Sequence, residues 1–267
     1  PKAQVGQIVV RTILLSQDAA NRAWMQGATY RDAIGAGEVM SSGGIGEVIE
    51  TNSDKFKLGD LISADIGWQE YAAVNADAAA KIPDFDGPLT HAISLLGVAG
   101  KTAYHGLINV PGIHAGETLV VSAAAGSVGS IVGQIGKIRG ARVVGIAGGR
   151  EKCDWLVDEL GFDACIDHRA NDFAEQLAAA LPQGIDCLFE NVGGEIFERL
   201  LTHMNTFGRI ALCGMVSEFN RDPHAYRTLR AILVSRLRVQ GFIVSDKLDT
   251  WPAIRSQLYD LVVAGKL

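Results

Sequence analysis

Two spacings of hydrophobic residues alternate along the chain after residue 118, and this alternation predicts the architecture there. Runs of apolar, often β-branched residues, such as Arg142–Ala147 and Ile185–Phe189, are typical of buried strands. Between them, apolar residues recur three or four positions apart, which is typical of amphipathic helices. Strands that alternate with helices predict a parallel sheet joined by crossover helices. We predict six strands starting at residues 119, 142, 163, 185, 208 and 238, with helices over 127–138, 151–160, 172–181, 193–204, 225–235 and 251–263.

A glycine-rich turn joins the first of these strands to its helix. Small residues at 124, 126 and 129 follow the apolar run Leu119–Val121 and surround the start of the helical pattern at Ser127. This is the dinucleotide-binding fingerprint with Ala124 in place of the first glycine. Gly126 lets the backbone approach a pyrophosphate, and Gly129 lets the helix pack closely on the strand. Alone, the motif also fits a structural turn, but six strands in two halves favour the doubly wound α/β fold that binds dinucleotides.

The end of the second strand indicates which dinucleotide is bound. NAD-dependent proteins usually place an acidic residue there to hold the ribose 2′-hydroxyl. Here that position, nineteen residues after Gly129, is Gly148, and Arg150 and Lys152 follow it. The missing carboxylate and the two cations favour the 2′-phosphate of NADPH, because a charge-assisted hydrogen bond is worth roughly 1.5–3 kcal/mol. The alternative is that both cations are solvated residues in the first turn of a helix, although cations there oppose the helix dipole.

The earlier part of the chain has a different pattern. Short alternating runs separated by glycine-rich turns begin at Gln7, Gly43, Phe56 and Gln69. Such short strands predict a small β-barrel or sandwich. A helical pattern over 92–107 follows, with an interruption at Gly97–Gly100. We therefore predict two domains, a β domain over 1–96 and the dinucleotide-binding domain over 97–267.

Composition and charge narrow the range of partners. A chain of 267 residues is long enough for two domains with sizeable cores. Its net charge is −6. The acidic balance argues against a nucleic-acid or anionic-membrane partner. Residues 118–136 carry no charge, but Ser, Gly and Gln interrupt them, so a strand, turn and helix explain them better than a membrane span. The single, scattered Cys153, Cys165, Cys187 and Cys213 predict reduced thiols of a cytoplasmic protein and no metal site.

Several segments together resemble the zinc-independent medium-chain dehydrogenase/reductases, in the branch of prostaglandin reductases, plant alkenal double-bond reductases and bacterial curcumin reductase. The matching segments cover nearly the whole chain and are Phe56-x-x-Gly59-Asp60, Gly100-x-Thr102-Ala103-Tyr104, Ala115–Thr118, Ala123–Gly129 with Val132–Gln134, Asn191–Gly194, Phe207–Ile210 and Gln240–Phe242. The zinc alcohol dehydrogenases of this superfamily carry Gly-His-Glu where this chain has Gly35-Ala36-Gly37-Glu38, and a four-Cys lobe that this sequence lacks. The resemblance implies a GroES-like β-barrel domain before a six-stranded Rossmann domain.

The resemblance also implies an activity, the NADPH-dependent reduction of the C=C bond in α,β-unsaturated ketones or aldehydes. Hydride is expected to pass from nicotinamide C4 to the β-carbon, while negative charge builds on the carbonyl oxygen as an enolate. A proton then reaches the α-carbon from solvent or a side chain. A quinone reductase of the same superfamily and a non-catalytic, NADPH-binding redox sensor remain as alternatives.

Cofactor contacts follow from the resemblance position by position. The pyrophosphate turn is Gly126, Ser127, Val128 and Gly129, and Lys152, preceded by Gly149 and Arg150, matches the lysine that holds the 2′-phosphate. His168 stands where relatives often have a Tyr against that phosphate, and is alternatively a surface loop residue. Asn191 matches an asparagine near the cofactor, and is alternatively a turn residue. The other implied contacts, to the ribose or nicotinamide, are Thr102 (alternatively a helix cap), Gly214, Met215, Val216, and Phe242, Ile243 and Val244 (alternatively only a core strand).

Two departures from the family leave the proton donor unassigned. Relatives commonly have Tyr-Asn after the fifth strand, whereas this chain has Phe219-Asn220, and Phe cannot donate a proton. The family's Asp-Pro-Tyr-Met-Arg appears as Asp18-Ala19-Ala20-Asn21-Arg22, so Ala20 replaces a second tyrosine. Tyr226 lies on a predicted helix, and we do not transfer the role to it. We expect solvent, or the cofactor's own ribose hydroxyl, to complete the proton transfer.

The resemblance has two further implications, for the ends of the chain and for its assembly. The chain begins where the family's first strand has passed and stops after the last helix of the cofactor domain, so we expect the first strand and the C-terminal return strands to be missing.

The sixth strand, Arg238–Val244, is expected at an edge of the sheet, where its unpaired backbone groups need a partner. In this superfamily that strand pairs with its twin, so we expect a homodimer that acts on a small enone or enal.

Overall fold

The computed structural model describes residues 1–83 and 87–267. They divide into two compact units, Pro1–Val98 and Ala99–Leu267. In the part of the chain that is described, no helix is both long and apolar enough to cross a membrane.

The first unit is built on an antiparallel sheet of five short strands. The strands are β1 Gln7–Leu15, β2 Gly43–Thr51, β3 Leu61–Asp65, β4 Tyr71–Asn75 and β5 Ala80–Lys81, in the order β4-β1-β2-β3-β5. Two short helices, α1 Ala19–Trp24 and α2 Thr90–Ile93, accompany them. Alternate residues face the core, as in β4, where Ala72 and Val74 are buried between exposed neighbours. This antiparallel unit is what a GroES-like domain predicts.

The second unit is built on six parallel strands with helices between them. Its strands are β6 Thr118–Val121, β7 Arg142–Ala147, β8 Ala164–Asp167, β9 Ile185–Glu190, β10 Met204–Leu212 and β11 Arg238–Gly241. Its helices are α3 Val98–Tyr104, α4 Ser127–Ile138, α5 Arg150–Asp158, α6 Phe173–Ala180, α7 Gly194–Leu201, α8 Arg230–Val234 and α9 Trp251–Val263, with a π-helical turn at His105–Asn109 after α3 and short 3₁₀ segments at Val216–Glu218 and Val244–Thr250.

Strand order in this sheet confirms the predicted doubly wound fold. The order is β11-β10-β9-β6-β7-β8, and all five strand pairs are parallel. The chain winds outwards from β6 through β7 to β8, then crosses back and winds the other way from β9. The reversal therefore falls between β6 and β9, and ligands of such sheets bind beyond the carboxyl ends of the strands at this switch point. Val120, Ile146 and Leu188 are among the fully buried residues that fix these central strands.

The helix before the sixth strand is shorter in the structure than the sequence pattern indicates. The helix predicted over 225–235 is only Arg230–Val234, because the preceding backbone is held by Glu198. The Glu198 carboxylate pairs with His224 at 2.6 Å and accepts hydrogen bonds from the backbone N–H groups of Arg227 and Thr228. Tyr226 therefore lies outside any helix, contrary to the prediction.

The sixth strand is also shorter than predicted, and the helical pattern over 92–107 is interrupted at residues 94–97. β11 ends at Gly241, so Phe242, Ile243 and Val244 follow the strand and do not belong to it. The pattern over 92–107 breaks between α2 and α3, where a Cβ at Gly97 would lie 1.9 Å from the carbonyl oxygen of Ile93.

Candidate functional site

The turn after β6 brings its helix unusually close to the strand. A Cβ placed on Gly129 would lie 2.4 Å from the carbonyl oxygen of Ala123 and 2.9 Å from the Cα of Ala124. Ala123 itself has a φ of 47°, which a residue with a side chain seldom adopts. Only glycine fits at 129, and the reason is the close helix packing that the fingerprint predicts.

The N-terminus of α4 is free to bind an anion. Gly126 occupies the capping position, and within residues 1–83 and 87–267 no side chain caps the helix. The first N–H groups of a helix have no partner within it, so those of Ser127, Val128 and Gly129 point outwards beyond the end of β6. Together with the positive end of the helix dipole they suit a phosphate group.

At the end of β7 the side chains of His168 and Arg169 pack closely against a glycine. A Cβ on Gly148 would lie 2.8 Å from the Nε atom of Arg169 and 2.9 Å from the Nε2 atom of His168. Gly149 follows with a φ of 96°, a conformation that favours glycine. We call this group, Gly148, Gly149, Lys152, His168 and Arg169, the β7 pocket. Arg169 was missed in the sequence, where its only signal is an arginine directly after His168.

The backbone of the β7 pocket is held by one aspartate. The Asp167 Oδ1 atom accepts hydrogen bonds from the N–H groups of Gly149 at 2.8 Å and Arg169 at 2.9 Å. These backbone hydrogen bonds, Gly149 first, lower the pKa of the Asp167 carboxyl below its ordinary value. The Asp167 carboxylate thus connects the turn after β7 to the turn after β8, and its negative charge is stabilised by backbone N–H groups.

The two cations predicted at the start of α5 differ in their surroundings. The Arg150 side chain is 92% exposed, and its Nε atom lies 3.5 Å from Asp154 one turn further along the helix. Lys152 is exposed in the first turn of the helix, and no ion pair of its side chain is present among the described residues. Lys152 is therefore better placed than Arg150 to pair with an incoming anion.

Asn191 joins the ends of the two central strands. Its N–H group donates to the Ser122 Oγ atom at 2.8 Å, and its side-chain Nδ2 donates to the Ser122 carbonyl oxygen at 2.7 Å. Gly193 and Gly194 follow with φ values of 71° and 60°. Asn191 is therefore a turn residue with a side chain engaged across the switch point, and it lies at the crevice where a dinucleotide is expected.

Glu190, the last residue of β9, was missed in the sequence. It is fully buried, and its Oε1 atom accepts from Ser122 Oγ at 2.9 Å and from the N–H groups of Val192 and Gly193 at 2.6 and 2.8 Å. Its Oε2 atom is buried without a hydrogen-bond partner in the described chain. Burial raises the pKa of this carboxyl to about 7, against the effect of these hydrogen bonds. The only signal in the sequence is one carboxylate at the end of an apolar strand.

Residues after β10 pack against the same turn. The N–H groups of Cys213 and Gly214 donate to the Glu190 carbonyl oxygen at 2.8 and 3.2 Å, and that of Val216 donates to the Asn191 carbonyl oxygen at 3.2 Å. Met215 lies against Gly193, where a Cβ would be 3.2 Å from the Met215 Cβ atom. The structure thus brings the predicted residues 214–216 together with Asn191.

The remaining predicted residues lie in packed surroundings. The Phe242 ring contacts the rings of Phe189 and His105, with centroids 6.2 and 5.7 Å apart, and fills the space above Gly106. Ile243 directly precedes the 3₁₀ segment that begins at Val244. Thr102 is buried inside α3, four residues after its start, which excludes the alternative that it caps that helix.

The tyrosine nearest to this turn has an engaged hydroxyl group. Tyr226 Oη accepts from the Gly194 N–H at 2.9 Å and donates to the Glu218 Oε1 atom at 3.0 Å. Burial is the largest effect on its pKa, which is raised to about 12. Phe219 ends the 3₁₀ segment Val216–Glu218. A hydroxyl with this pKa, held by two partners, is poorly suited to donate a proton to substrate.

Other clusters of reactive side chains are few in the described ranges. Within residues 1–83 and 87–267, no group of three or more His, Cys, Asp or Glu side chains is arranged to hold a metal ion. The four cysteines are free, and the sulfurs of Cys153 and Cys165 lie 2.6 Å apart between α5 and β8. Burial raises the pKa of both thiols.

Two family models match the chain. A model described as "Zinc-binding dehydrogenase" matches residues 127–260, and one described as "N-terminal domain of oxidoreductase" matches residues 1–82. The two matches fall in the second and the first unit respectively.

Individual relatives agree with these matches. The NADPH-dependent curcumin reductase of Escherichia coli is 44% identical over 248 residues, which cover 90% of this chain and 72% of the relative. The NADP(+)-dependent 2-alkenal reductase of Nicotiana tabacum is 36% identical and covers 97% of this chain and 77% of the relative. The crystal structure of CurA from Vibrio vulnificus in complex with NADPH matches with a TM-score of 0.93 and 38% identity, over 99% of this chain and 81% of that one.

Proposed function

The chain belongs to the zinc-independent branch of the medium-chain dehydrogenase/reductase family that includes the curcumin, alkenal and prostaglandin reductases, and we propose that it reduces the C=C bond of α,β-unsaturated ketones or aldehydes with NADPH. The substrate class is supported by the names of these relatives. The cofactor is supported both by the relatives and by the shape and charge of the second unit.

The observation that carries the cofactor proposal is the β7 pocket. Gly148 stands where NAD-dependent proteins carry a carboxylate, and the side chains of His168 and Arg169 pack against it instead. Lys152 adds an exposed cation in the first turn of α5. We assign the 2′-phosphate of NADPH to this pocket, and the pyrophosphate to the uncapped N-terminus of α4 at Ser127, Val128 and Gly129.

The proposed chemistry divides between the cofactor and the protein. NADPH, when bound, supplies the hydride that reduces the β-carbon of the substrate. The protein binds and orients it: the turns of Asn191 and of residues 214–216, joined by backbone hydrogen bonds, form the floor of the crevice at the switch point. We assign the ribose and nicotinamide to these turns, with Thr102 and residues 242–244 as further contacts.

We propose that solvent supplies the proton to the α-carbon. Phe219 has no proton to donate, and the Tyr226 hydroxyl is held between Gly194 and Glu218. Neither side chain therefore takes the place of the tyrosine after the fifth strand, which by family resemblance is a candidate acid or enolate donor.

The experiment follows NADPH absorbance with the purified full-length protein and three acceptors, an alkyl enone, an enal and a benzoquinone, with NADH in parallel. Oxidation of NADPH with a saturated carbonyl product supports the proposal, and a preference over NADH supports the β7 pocket. Turnover of the benzoquinone alone favours a quinone reductase. NADPH binding without turnover of any acceptor favours a redox sensor and overturns the proposed activity.

We further propose a homodimer that forms through β11. All four residues of this edge strand are exposed. Two apolar side chains in the elements before it are exposed, Phe207 of β10 at 67% and Leu233 of α8 at 76%. The unpaired backbone N–H and C=O groups of such an edge strand can pair with the same strand of a second copy. Sedimentation of the wild type as a dimer, and of Leu233→Glu as a weaker one, is expected; a monomeric wild type at micromolar concentration contradicts the proposal.

The proposed location is the cytoplasm. All four cysteines are free thiols, as is usual for proteins of that compartment. Fractionation of cells that express the full-length protein tests this assignment, and recovery with a membrane or secreted fraction contradicts it.

A further inference from the structure

A fully buried carboxyl group occupies the centre of the crevice floor, and the proposed mechanism does not use it. Glu190 is 0% exposed, and one of its oxygens, Oε1, accepts all three of its hydrogen bonds, from Ser122, Val192 and Gly193. The other oxygen, Oε2, is buried and has no partner in the described chain. A buried carboxylate without a cationic partner is costly, and a proton on Oε2 removes its charge.

The position of Glu190 connects it to the proposed cofactor. It is the last residue of β9, beside β6, and the strand order reverses between these two strands. Its carboxyl group binds the backbone of the turn after β9, and through Ser122 it reaches the end of β6 and Asn191. Any ligand held at the carboxyl ends of these strands therefore lies above this network.

The titratable groups around Glu190 carry no compensating positive charge. Cys213 faces it from the end of β10, and burial raises the pKa of this thiol to about 12. Tyr226 faces it from the segment before α8 and is paired with the Glu218 carboxylate. From the end of β6 the neighbour is the Ser122 hydroxyl. Within the described ranges no ion pair involves Glu190, so a further negative charge nearby is opposed only by the dipoles of its hydrogen-bond donors.

We propose that Glu190 is a positioning residue that takes up a proton when NADPH binds at the switch point. The phosphates of the cofactor bring negative charge to the ends of β6 and β7, which makes the buried carboxylate less favourable. A protonated Glu190 keeps its three hydrogen bonds through Oε1, so the turn of Val192 and Gly193 stays in place under the cofactor. This inference rests on the proposed function, because it requires the dinucleotide to bind at this crevice.

Calorimetric titration of NADPH in buffers of different ionisation enthalpy measures the protons taken up on binding. Near neutral pH, where burial places the pKa of Glu190 at about 7, the wild type is expected to take up a substantial fraction of a proton per NADPH. Glu190→Gln removes the titration and is expected to lower this number by roughly half a proton. Ionisation of the 2′-phosphate contributes equally to both proteins and cancels in the difference. A merely structural role would leave the proton number unchanged.

The matched control is Glu195→Gln, because Glu195 is an exposed residue of α7 paired with Arg199. Its proton number is expected to equal that of the wild type. Equal numbers for wild type and Glu190→Gln overturn the inference while NADPH binding itself still supports the proposed function. Failure of the wild type to bind NADPH overturns the proposed function instead.

A wild-type pH series keeps the inference testable if Glu190→Gln does not fold. Proton uptake is expected to peak between about pH 7 and 8 and to approach the level set by the 2′-phosphate alone above about pH 9. A titration with a phosphate-poor fragment, nicotinamide mononucleotide, is expected to show smaller uptake. Uptake that does not vary across this pH range overturns the inference.

Discussion

The ends of β7 and β9 lie at the same edge of one sheet, yet the polar side chains at the first are exposed and the carboxyl group at the second is fully buried. At the end of β7, the exposed side chains of His168 and Arg169 pack against a glycine. At the end of β9, a fully buried carboxyl group is hydrogen-bonded to the turn above it. The end of β7 therefore carries exposed charged side chains that can bind a ligand. The end of β9 carries a hydrogen-bonded network in which the ionised form of Glu190 is unfavourable.

The difference indicates how one cofactor site divides its tasks. The β7 pocket selects a ligand by its charge, so its contribution depends on salt and costs the fold little. The Glu190 network determines the backbone on which the ligand rests, so its contribution appears in stability and pH dependence. Substitutions in the two regions should therefore change different measurements.

Removal of Glu190 is expected to have the largest effect on stability. Glu190→Ala leaves the Ser122 hydroxyl and the Val192 and Gly193 N–H groups without an acceptor in a buried place. We expect a loss of about 3 kcal/mol in the free energy of unfolding, measured by urea denaturation at about pH 6. Lys152→Ala is the matched change in the β7 pocket and is expected to stay within about 0.5 kcal/mol. Similar losses in the two variants would remove the distinction between the regions.

The pH dependence of stability sharpens the comparison. Because the pKa of Glu190 rises from 4.5 to about 7 on folding, the folded protein binds the proton more tightly than the unfolded chain does. The stabilising contribution is complete below the unfolded value and is lost as the pH rises through about 7. Relative to Glu190→Gln, the wild type is expected to lose about 3 kcal/mol between pH 4.5 and 8. Parallel pH profiles of the two proteins would show that the carboxyl group does not titrate on folding.

Cofactor selection is expected to respond only to the β7 pocket. Lys152→Ala with Arg169→Ala removes two cations and is expected to weaken NADPH binding by roughly ten- to a hundredfold, with little change for NADH. Dissociation constants for both dinucleotides, measured by fluorescence titration, give the ratio. Lys2→Ala, an exposed lysine of the first unit, serves as the control. An equal loss for NADPH and NADH would place the 2′-phosphate elsewhere.

Added salt is expected to weaken NADPH binding, by less than the double substitution does. Exposed charges are screened over about 8 Å at physiological ionic strength, so NADPH affinity should fall several-fold between about 0.05 and 0.5 M NaCl. The Lys152 and Arg169 double variant should lose most of this dependence. A salt dependence that the variant retains in full would assign the charge effect to other residues.

Phe219→Tyr is expected to have the smallest effect. If solvent supplies the proton, an added hydroxyl after the fifth strand changes turnover by less than about twofold, compared with the 10²–10⁴-fold that a general acid contributes. Steady-state kcat with an enone measures it. A markedly faster variant would identify a lost donor and contradict the solvent proposal.

The parts of the fold that were predictable from sequence depend on local pattern. All six parallel strands and most helices follow from apolar periodicity, since a buried strand needs consecutive apolar residues. The glycine turn at 126–129 is recognisable because close packing admits no side chain at Gly129. Helix α9, predicted over 251–263, has those bounds in the structure.

The parts that were not predictable depend on contacts between distant residues. The segment around Tyr226 is not helical because Glu198, far away in sequence, binds its backbone. Arg169 and Glu190 were missed for the same reason, since their roles exist only where strands β7 and β8, or β6 and β9, come together. A lone carboxylate at the end of an apolar strand has no periodicity that reveals its partners.

The carbon atom that receives the hydride distinguishes reduction of the C=C bond from reduction of the carbonyl group. The full-length protein is incubated with NADPH deuterated at nicotinamide C4 and an α,β-unsaturated ketone, and the product is examined by NMR spectroscopy. We expect a saturated ketone with deuterium on the β-carbon and a proton from water on the α-carbon. Deuterium on the carbinol carbon of an allylic alcohol, or an unchanged enone in the presence of bound NADPH, would contradict it.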